Sequence, residues 1–137
     1  MDNSIKIGKY MKLILQADEE LMSMVPINKI NGLWIGPDTT YPYIVYSRSA
    51  INTQYNKDLN GCLGHVDTVQ VTVDCHGNSY EQSCDVACAF RNALEGKGYN
   101  AEDMFIDRFQ LISANETTDG LDDYCQTLVF QTTTKTK

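Results

Sequence analysis

Positive charge is in short supply in this chain: 11 Lys and Arg stand against 18 Asp and Glu in 137 residues, a formal net charge of −7. Nonspecific nucleic-acid affinity rests on Lys and Arg neutralising phosphates, and adhesion to anionic membranes draws on the same charges. Both are therefore disfavoured. Long apolar runs are missing as well; none approaches the roughly 18 residues that cross a bilayer. Asp2, Lys6, Lys9 and Lys12 interrupt the apolar residues of the first segment. No signal peptide is expected, and the protein is expected to stay in the compartment where it is made. A phosphate-cradling loop is lacking, since Gly61-Cys62-Leu63-Gly64 is not followed by Lys-Ser/Thr. The five cysteines, at 62, 75, 84, 88 and 125, are an odd number scattered along the chain. That excludes a regular disulfide framework and reads as reduced thiols, several of them small core residues.

What is present describes an ordinary globular protein, with 42% hydrophobic and 21% charged residues. At this length one domain over residues 1–137 is expected, with a flexible tail at about 133–137. The clearest pattern is Val66-Asp-Thr-Val-Gln-Val-Thr-Val-Asp-Cys75. Val69, Val71, Val73 and Cys75 fall on one side, and Thr68, Gln70, Thr72 and Asp74 on the other. Successive side chains of a strand point to opposite faces, so this is a half-buried strand. Ser79 and Gln82 then stand in capping-box spacing before a helix to about Glu95, whose apolar stripe is Val86, Ala87, Phe90, Ala93 and Leu94. Gly96 and Gly98 suit its stop.

Upstream, Ile7, Tyr10, Met11, Ile14, Leu21 and Met22 share one face of a helix expected over residues 4–24, capped by Asn3 or Ser4 and closed by Pro26. Its lysines lie early and Asp18-Glu19-Glu20 late, against the helix dipole. A short strand or extended segment over residues 27–35 and a Gly36-Pro37-Asp38 turn lead into a strand from Tyr43 to about Tyr55. A polar loop at 56–64 precedes the Val66–Cys75 strand, and His76-Gly77-Asn78 reads as a turn. Two more strands are expected, at about 104–114 and 123–133, joined by the polar residues 115–122. The order is α-β-β-β-α-β-β: an α+β fold with a mostly antiparallel sheet of about five strands and two helices packed on it.

No catalytic residues stand out. Nucleophilic catalysis needs a thiol or hydroxyl beside a base, and neither His65 nor His76 has an orienting partner in the sequence. Cys75, His76, Cys84 and Cys88 are the one candidate metal set. Cys75 and His76 are adjacent on a strand and point to opposite sides, so buried or incidental thiols are the better reading. The acidic run Asp119-Gly120-Leu121-Asp122-Asp123 lacks the alternating ligands and final Glu of a calcium loop. Tyr41, Tyr43, Tyr46 and Tyr55 gather on one strand and its approach. They either ride the sheet or serve an interface, where tyrosine is favoured.

Several of these pieces together resemble the small tail-completion or tail-terminator (head-tail joining) proteins of long-tailed bacteriophages and prophages. In that family a Leu-Pro-Tyr-Val-Val-Tyr-like segment leads the second strand; here residues 41–46 read Tyr-Pro-Tyr-Ile-Val-Tyr. The family's Val-Gln-Val-Asp-Val-Tyr-like strand corresponds to Val69–Cys75, and its helix entry to Ser79-Tyr80 leading to Ala87. A closing polar loop and final strand match residues 118–131. Asp74-Cys75-His76 and the five cysteines depart from the family pattern.

The resemblance implies a structural, non-enzymatic virion protein with no cofactor. It implies a ring of usually six copies that caps the tail tube, ends tube polymerisation and joins the tail to the head connector, with a channel for DNA. The partners implied are the chain itself, the tail tube protein and the head connector or stopper protein; the place implied is the neck of the virion, after assembly in the host bacterial cytoplasm. Another neck protein, such as a head-closure stopper, is the alternative in the same class, and a Cys/His metal-binding or thiol enzyme module the alternative in another. Interface residues are expected among Tyr43, Tyr46 and Tyr55 and on two polar loops, represented by Asn56, Lys57 and Asp58 and by Asn115, Glu116, Asp119 and Asp122. The loops at 53–64 and 115–123 are expected to make the axial contacts.

Overall fold

The computed structural model describes residues 2–57 and 63–136, with the backbone alone for residues 56–57 and 63–65. It is α+β. Helices α1 (Ile7–Gln16), α2 (Glu19–Met24) and α3 (Tyr80–Leu94) lie on one face of a sheet of seven strands. The strands are β1 (Ile30–Gly32), β2 (Tyr43–Lys57), β3 (Leu63–Gly77), β4 (Tyr99–Asn100), β5 (Met104–Ile106), β6 (Gln110–Thr118) and β7 (Tyr124–Thr136).

The spatial order is β1-β2-β3-β7-β5-β4, with β6 also on β7. β7 therefore has β3 along one side, and β6 followed by β5 along the other. Every pairing is antiparallel except β1 with β2, where Ile30, Asn31 and Gly32 run parallel to Ile44, Val45 and Tyr46. The sheet is thus mixed, and larger than the five strands expected. β1 falls within the segment expected over residues 27–35, reduced to three residues; the strand without a sequence signature is β4, whose two residues are too few to show a period.

The alternation along β3 appears as read. Val69, Val71, Val73 and Cys75 are buried toward the helices, while Thr68, Gln70, Thr72 and Asp74 occupy the other face, half-buried. Val86, Ala87, Phe90, Ala93 and Leu94 of α3 pack on that apolar face together with Ile7, Met11 and Leu15 of α1. Phe90 and Phe130 meet at a tilt of 49°, with 5.8 Å between ring centroids. Each such side chain, fully buried, contributes about 1.5–3 kcal/mol relative to exposure.

Local chemistry sets the helix ends. Ser79 Oγ accepts from the Gln82 amide at 3.1 Å, and Gln82 Oε1 accepts from the Asn78 amide at 2.8 Å. Gly96, at φ +78°, takes the left-handed position after α3 that an L side chain resists. Gly77 has a different role: a Cβ there would lie 2.6 Å from the Ser83 amide nitrogen, so its absence lets the first turn of α3 sit on the end of β3.

Four expectations need correction. The first helix is not continuous. It opens as a 3-10 turn (Ser4–Lys6) and breaks after Gln16, where Asp18 leaves helical geometry and its Oδ1 accepts from the Leu21 amide at 2.9 Å. Asp18, Glu19 and Glu20 consequently stand at the N-terminus of α2, in favourable register with its dipole. The strand expected over 104–114 is two strands. Between them Phe109 turns into the core, fully buried, while its amide and carbonyl bond Lys97 and Gly96. His76 and Gly77 are not a turn but the last pairs of the β3–β7 ladder. The residues expected to fray are strand as far as the structure describes them: β7 reaches Thr136, and Thr134 is buried, like Thr132 before it.

Candidate functional site

The sheet exposes two kinds of surface that could carry function: its outer edges, and the face that no helix covers. β1 pairs only with residues 44–46 of β2, so no other described strand is laddered to the outer side of β2. At the opposite end, β7 is the one described strand laddered to β6, and all residues of β6 but Leu111 are exposed. Edge strands usually protect themselves with charge, proline, shortness or bulges. Here β6 has one charged residue, Glu116, over its nine positions and one bulge near Ile112. Exposed apolar side chains accompany both edges. Leu33 (81% exposed) and Trp34 (70%) follow β1, with Ile5 nearby, while Ile112 lies on β6 and Leu121 (83%) in the β6–β7 turn. Leu33 holds φ +67°, and its amide donates to the Tyr46 carbonyl at 2.7 Å, so the Leu33-Trp34 corner is tied to β2.

The expected interface residues are dispersed over this framework. Tyr55 is exposed on β2. Asn56 and Lys57 belong to the β2 backbone and do not begin a loop; Asp58 and the rest of the expected 56–64 loop up to Cys62 lie outside the described residues. Tyr46 points to the helix side and is half-buried, its ring 3.0 Å from where a Cβ on Gly8 would be. Tyr43 is on the open face. Asn115 and Glu116 are not in a loop but on β6, opposite Thr127 and Gln126. Glu116 accepts from the Tyr80 hydroxyl at 2.8 Å and Gln126 Nε2 at 3.0 Å, bonds that hold its carboxyl below the usual range. Asp119 and Asp122 do occupy the turn. Asp119 Oδ1 accepts from the amides of Leu121 (2.8 Å) and Asp123 (3.1 Å), which folds the turn and lowers its own pKa.

The open face holds a cluster that sequence reading did not assemble. His76 Nδ1 lies 2.9 Å from Asp123 Oδ1, and His76 Nε2 lies 3.9 Å from Cys125 Sγ. The imidazole stacks on Tyr43, with centroids 4.6 Å apart and 17° between planes, and Tyr41 packs on Tyr43 in turn. Cys125 Sγ is also 3.8 Å from Asp74 Oδ1, which accepts from the Thr127 hydroxyl at 2.7 Å. Burial pulls the His76 pKa down; its bonds to Cys125 and Asp123 outweigh that and push it up to about 9. Tyr41 is pushed up to about 12, by desolvation first and then by the charge of Asp123. His76 and its partners are 47 and 49 residues apart, and only the β3–β7 register joins them.

The candidate metal set does not come together. Cys75 is wholly buried beneath the helices and His76 faces the other way, while Cys84 and Cys88 lie on α3, half-buried and exposed. Among the described residues no three His, Cys, Asp or Glu side chains are grouped to hold a metal ion. A separate cleft of about 400 Å³ lies between the first residues and β2–β3. At its wall the buried Asp67 accepts from the hydroxyls of Ser4 and of Thr53 (2.7 Å), so this carboxylate is satisfied without a cation.

Comparisons with known proteins bear on the whole chain. Residues 12–134 match a family model described as "Tail completion protein gp17". Nothing among curated proteins matches. Nineteen chains of solved structures do. One of them, described as "Virion of native gene transfer agent (GTA) particle", is 16% identical, with 91% of each chain covered and a TM-score of 0.62. At that identity the likeness is one of fold.

Proposed function

Because this chain belongs to the tail completion protein gp17 family, a family of phage tail structural proteins, we propose that it forms a ring that caps the tail tube, ends tube polymerisation and joins the tail to the head connector. The observation that supports this reading is the pair of open edges, β2 and β6, at opposite ends of one sheet. A closed ring needs heterologous contacts, in which two different patches meet around an axis. The β2 edge with Leu33 and Trp34 supplies one patch, and the β6 edge with Ile112 and Leu121 supplies the other. Strand addition between such edges satisfies backbone groups that are otherwise left to water. The ring is proposed to hold six copies, with the β2–β3 and β6–β7 hairpin ends making the axial contacts to tube and connector. Tyr55, Asp119 and Asp122 belong to those ends.

Charge placed on an edge should break the ring and spare the fold. Ile112→Lys and Trp34→Asp are expected to keep the urea midpoint of the parent. Particles assembled with either variant should show overlong tails and unattached heads by electron microscopy. Joined particles of normal tail length with both variants would overturn the edge assignment. Tails of normal length with unattached heads, in particles lacking the protein altogether, would point to a head-side stopper.

A further inference from the structure

We propose that Cys125 is an activated thiol that undergoes exchange with small disulfides on the open face of the sheet, with His76 as its ion-pair partner and proton donor and Asp123 orienting the imidazole ring. Three side chains stand in the order such activation requires. Asp123 Oδ1, 2.9 Å from Nδ1, holds the ring with Nε2 toward the sulfur, and Nε2 lies 3.9 Å from Sγ. Stacking on Tyr43 fixes the ring plane. A thiolate paired with imidazolium is the reactive form, and a neighbouring His⁺ is one of the known ways to obtain it near neutral pH. The raised pKa of His76 agrees with a ring that holds its proton beside two potential anions.

One neighbour opposes the pair. The Cys125 thiol donates to Asp74 Oδ1 at 3.8 Å, which favours the protonated thiol and disfavours a second negative charge there, an effect weakened by the hydrogen bond Asp74 accepts from Thr127. Cys125 is buried, with 7% of its surface exposed, and it stands on the face no helix covers, the side from which a small reagent has to approach. In the exchange the Cys125 thiolate attacks one sulfur of the disulfide. The new S–S bond forms as the old one breaks, and the departing thiolate takes the proton from His76 Nε2. The reaction is stoichiometric, and it leaves an adduct at the base of the β6–β7 turn.

Trypsin isolates the site, because cleavage after Arg108 and Lys135 releases Cys125 in a peptide without another cysteine. The folded protein is treated with iodoacetamide or with oxidised glutathione between pH 6 and 8, and that peptide is quantified by mass. The rate at Cys125 is expected to change less than threefold over this range, where an ordinary thiol of pKa about 8.5 gains roughly tenfold per pH unit. His76→Gln should restore the tenfold slope and lower the rate at pH 6.5 by about tenfold or more, with Asp123→Asn acting in the same direction. Asp74→Asn should raise the rate. A purely structural cluster would not give His76 and Asp74 opposite signs. An ordinary slope in the parent protein, or no reaction until urea unfolds it, would overturn the proposal. Should His76→Gln fail to fold, the parent slope and the Asp74→Asn rate decide.

Discussion

The two faces of β3 share one backbone and differ in everything else. Toward the helices stand Val69, Val71, Val73 and Cys75, each with at most 1% of its surface exposed. Toward the open side stand Thr68, Gln70, Thr72, Asp74 and His76, half-buried among Thr127, Val129, Gln131 and Thr133 of β7. The covered face supplies the free energy of folding, because that is where apolar surface leaves water. The open face is polar without being strongly charged, and cross-strand hydrogen bonds such as Gln70 to Gln131 (3.4 Å) tie its side chains together. Stability is thus concentrated on one side of the sheet, and chemistry and recognition are left to the other side and the edges.

Substitutions on the two faces should show this asymmetry. Phe90→Ala removes a ring fully buried against Phe130 and is expected to cost about 3–5 kcal/mol by urea unfolding. A loss below about 1 kcal/mol would mean that the covered face is not the stabilising one. Gly77→Ala drives a methyl into the backbone of Ser83 and is expected to cost about 1–3 kcal/mol, through the seat of α3 rather than through lost burial.

His76 contributes on the open side in a pH-dependent way. Its folded pKa, about 9, lies above the ordinary 6.5, so its contribution is full below about pH 6.5 and is lost as pH rises through about 9. The groups facing it are Tyr43 from β2, Cys125 from β7, Asp123 before β7, and Asp74 on its own strand. The stability gap between the parent and His76→Gln is expected at about 1 kcal/mol near pH 6 and should shrink toward pH 9.5; a gap constant across that range would remove His76 from the account. Gln70→Ala is the mildest change, expected within about 0.5 kcal/mol.

Legibility in the sequence followed the range of the interaction. The β3 alternation, the Ser79 cap and the α3 stripe are local, and each is present in the structure where the residues place it. The α+β class follows from them. The break at Ala17–Asp18 is also local but ambiguous, because the apolar spacing of Met11, Leu15 and Leu21 fits one helix as well as two. The inward turn of Phe109 was hidden by its place in a run of strand-forming residues; what turns it is the end of α3 at Glu95–Lys97, distant in sequence. The burial of Thr132 and Thr134 was masked by their polarity, and the partner that lets Thr132 be buried is distant in sequence: Thr132 Oγ1 donates to the Asp107 carbonyl at 2.6 Å. The cluster around His76 was least accessible of all. It exists only once β3 and β7 are in register, and no spacing rule links Asp74-Cys75-His76 to Asp123-Tyr124-Cys125.

The position of β7 between β3 and the β5–β6 pair has a consequence for synthesis. The β2–β3 hairpin and α3 can form as they leave the ribosome, yet the inner edge of β3 stays bare until Tyr124–Thr136 has been translated. At roughly 5–20 residues per second, that interval is on the order of several seconds. During it the nascent chain presents a valine-rich strand with one open side, so a chaperone, or crowding by sister chains, has its opportunity before the protein is complete.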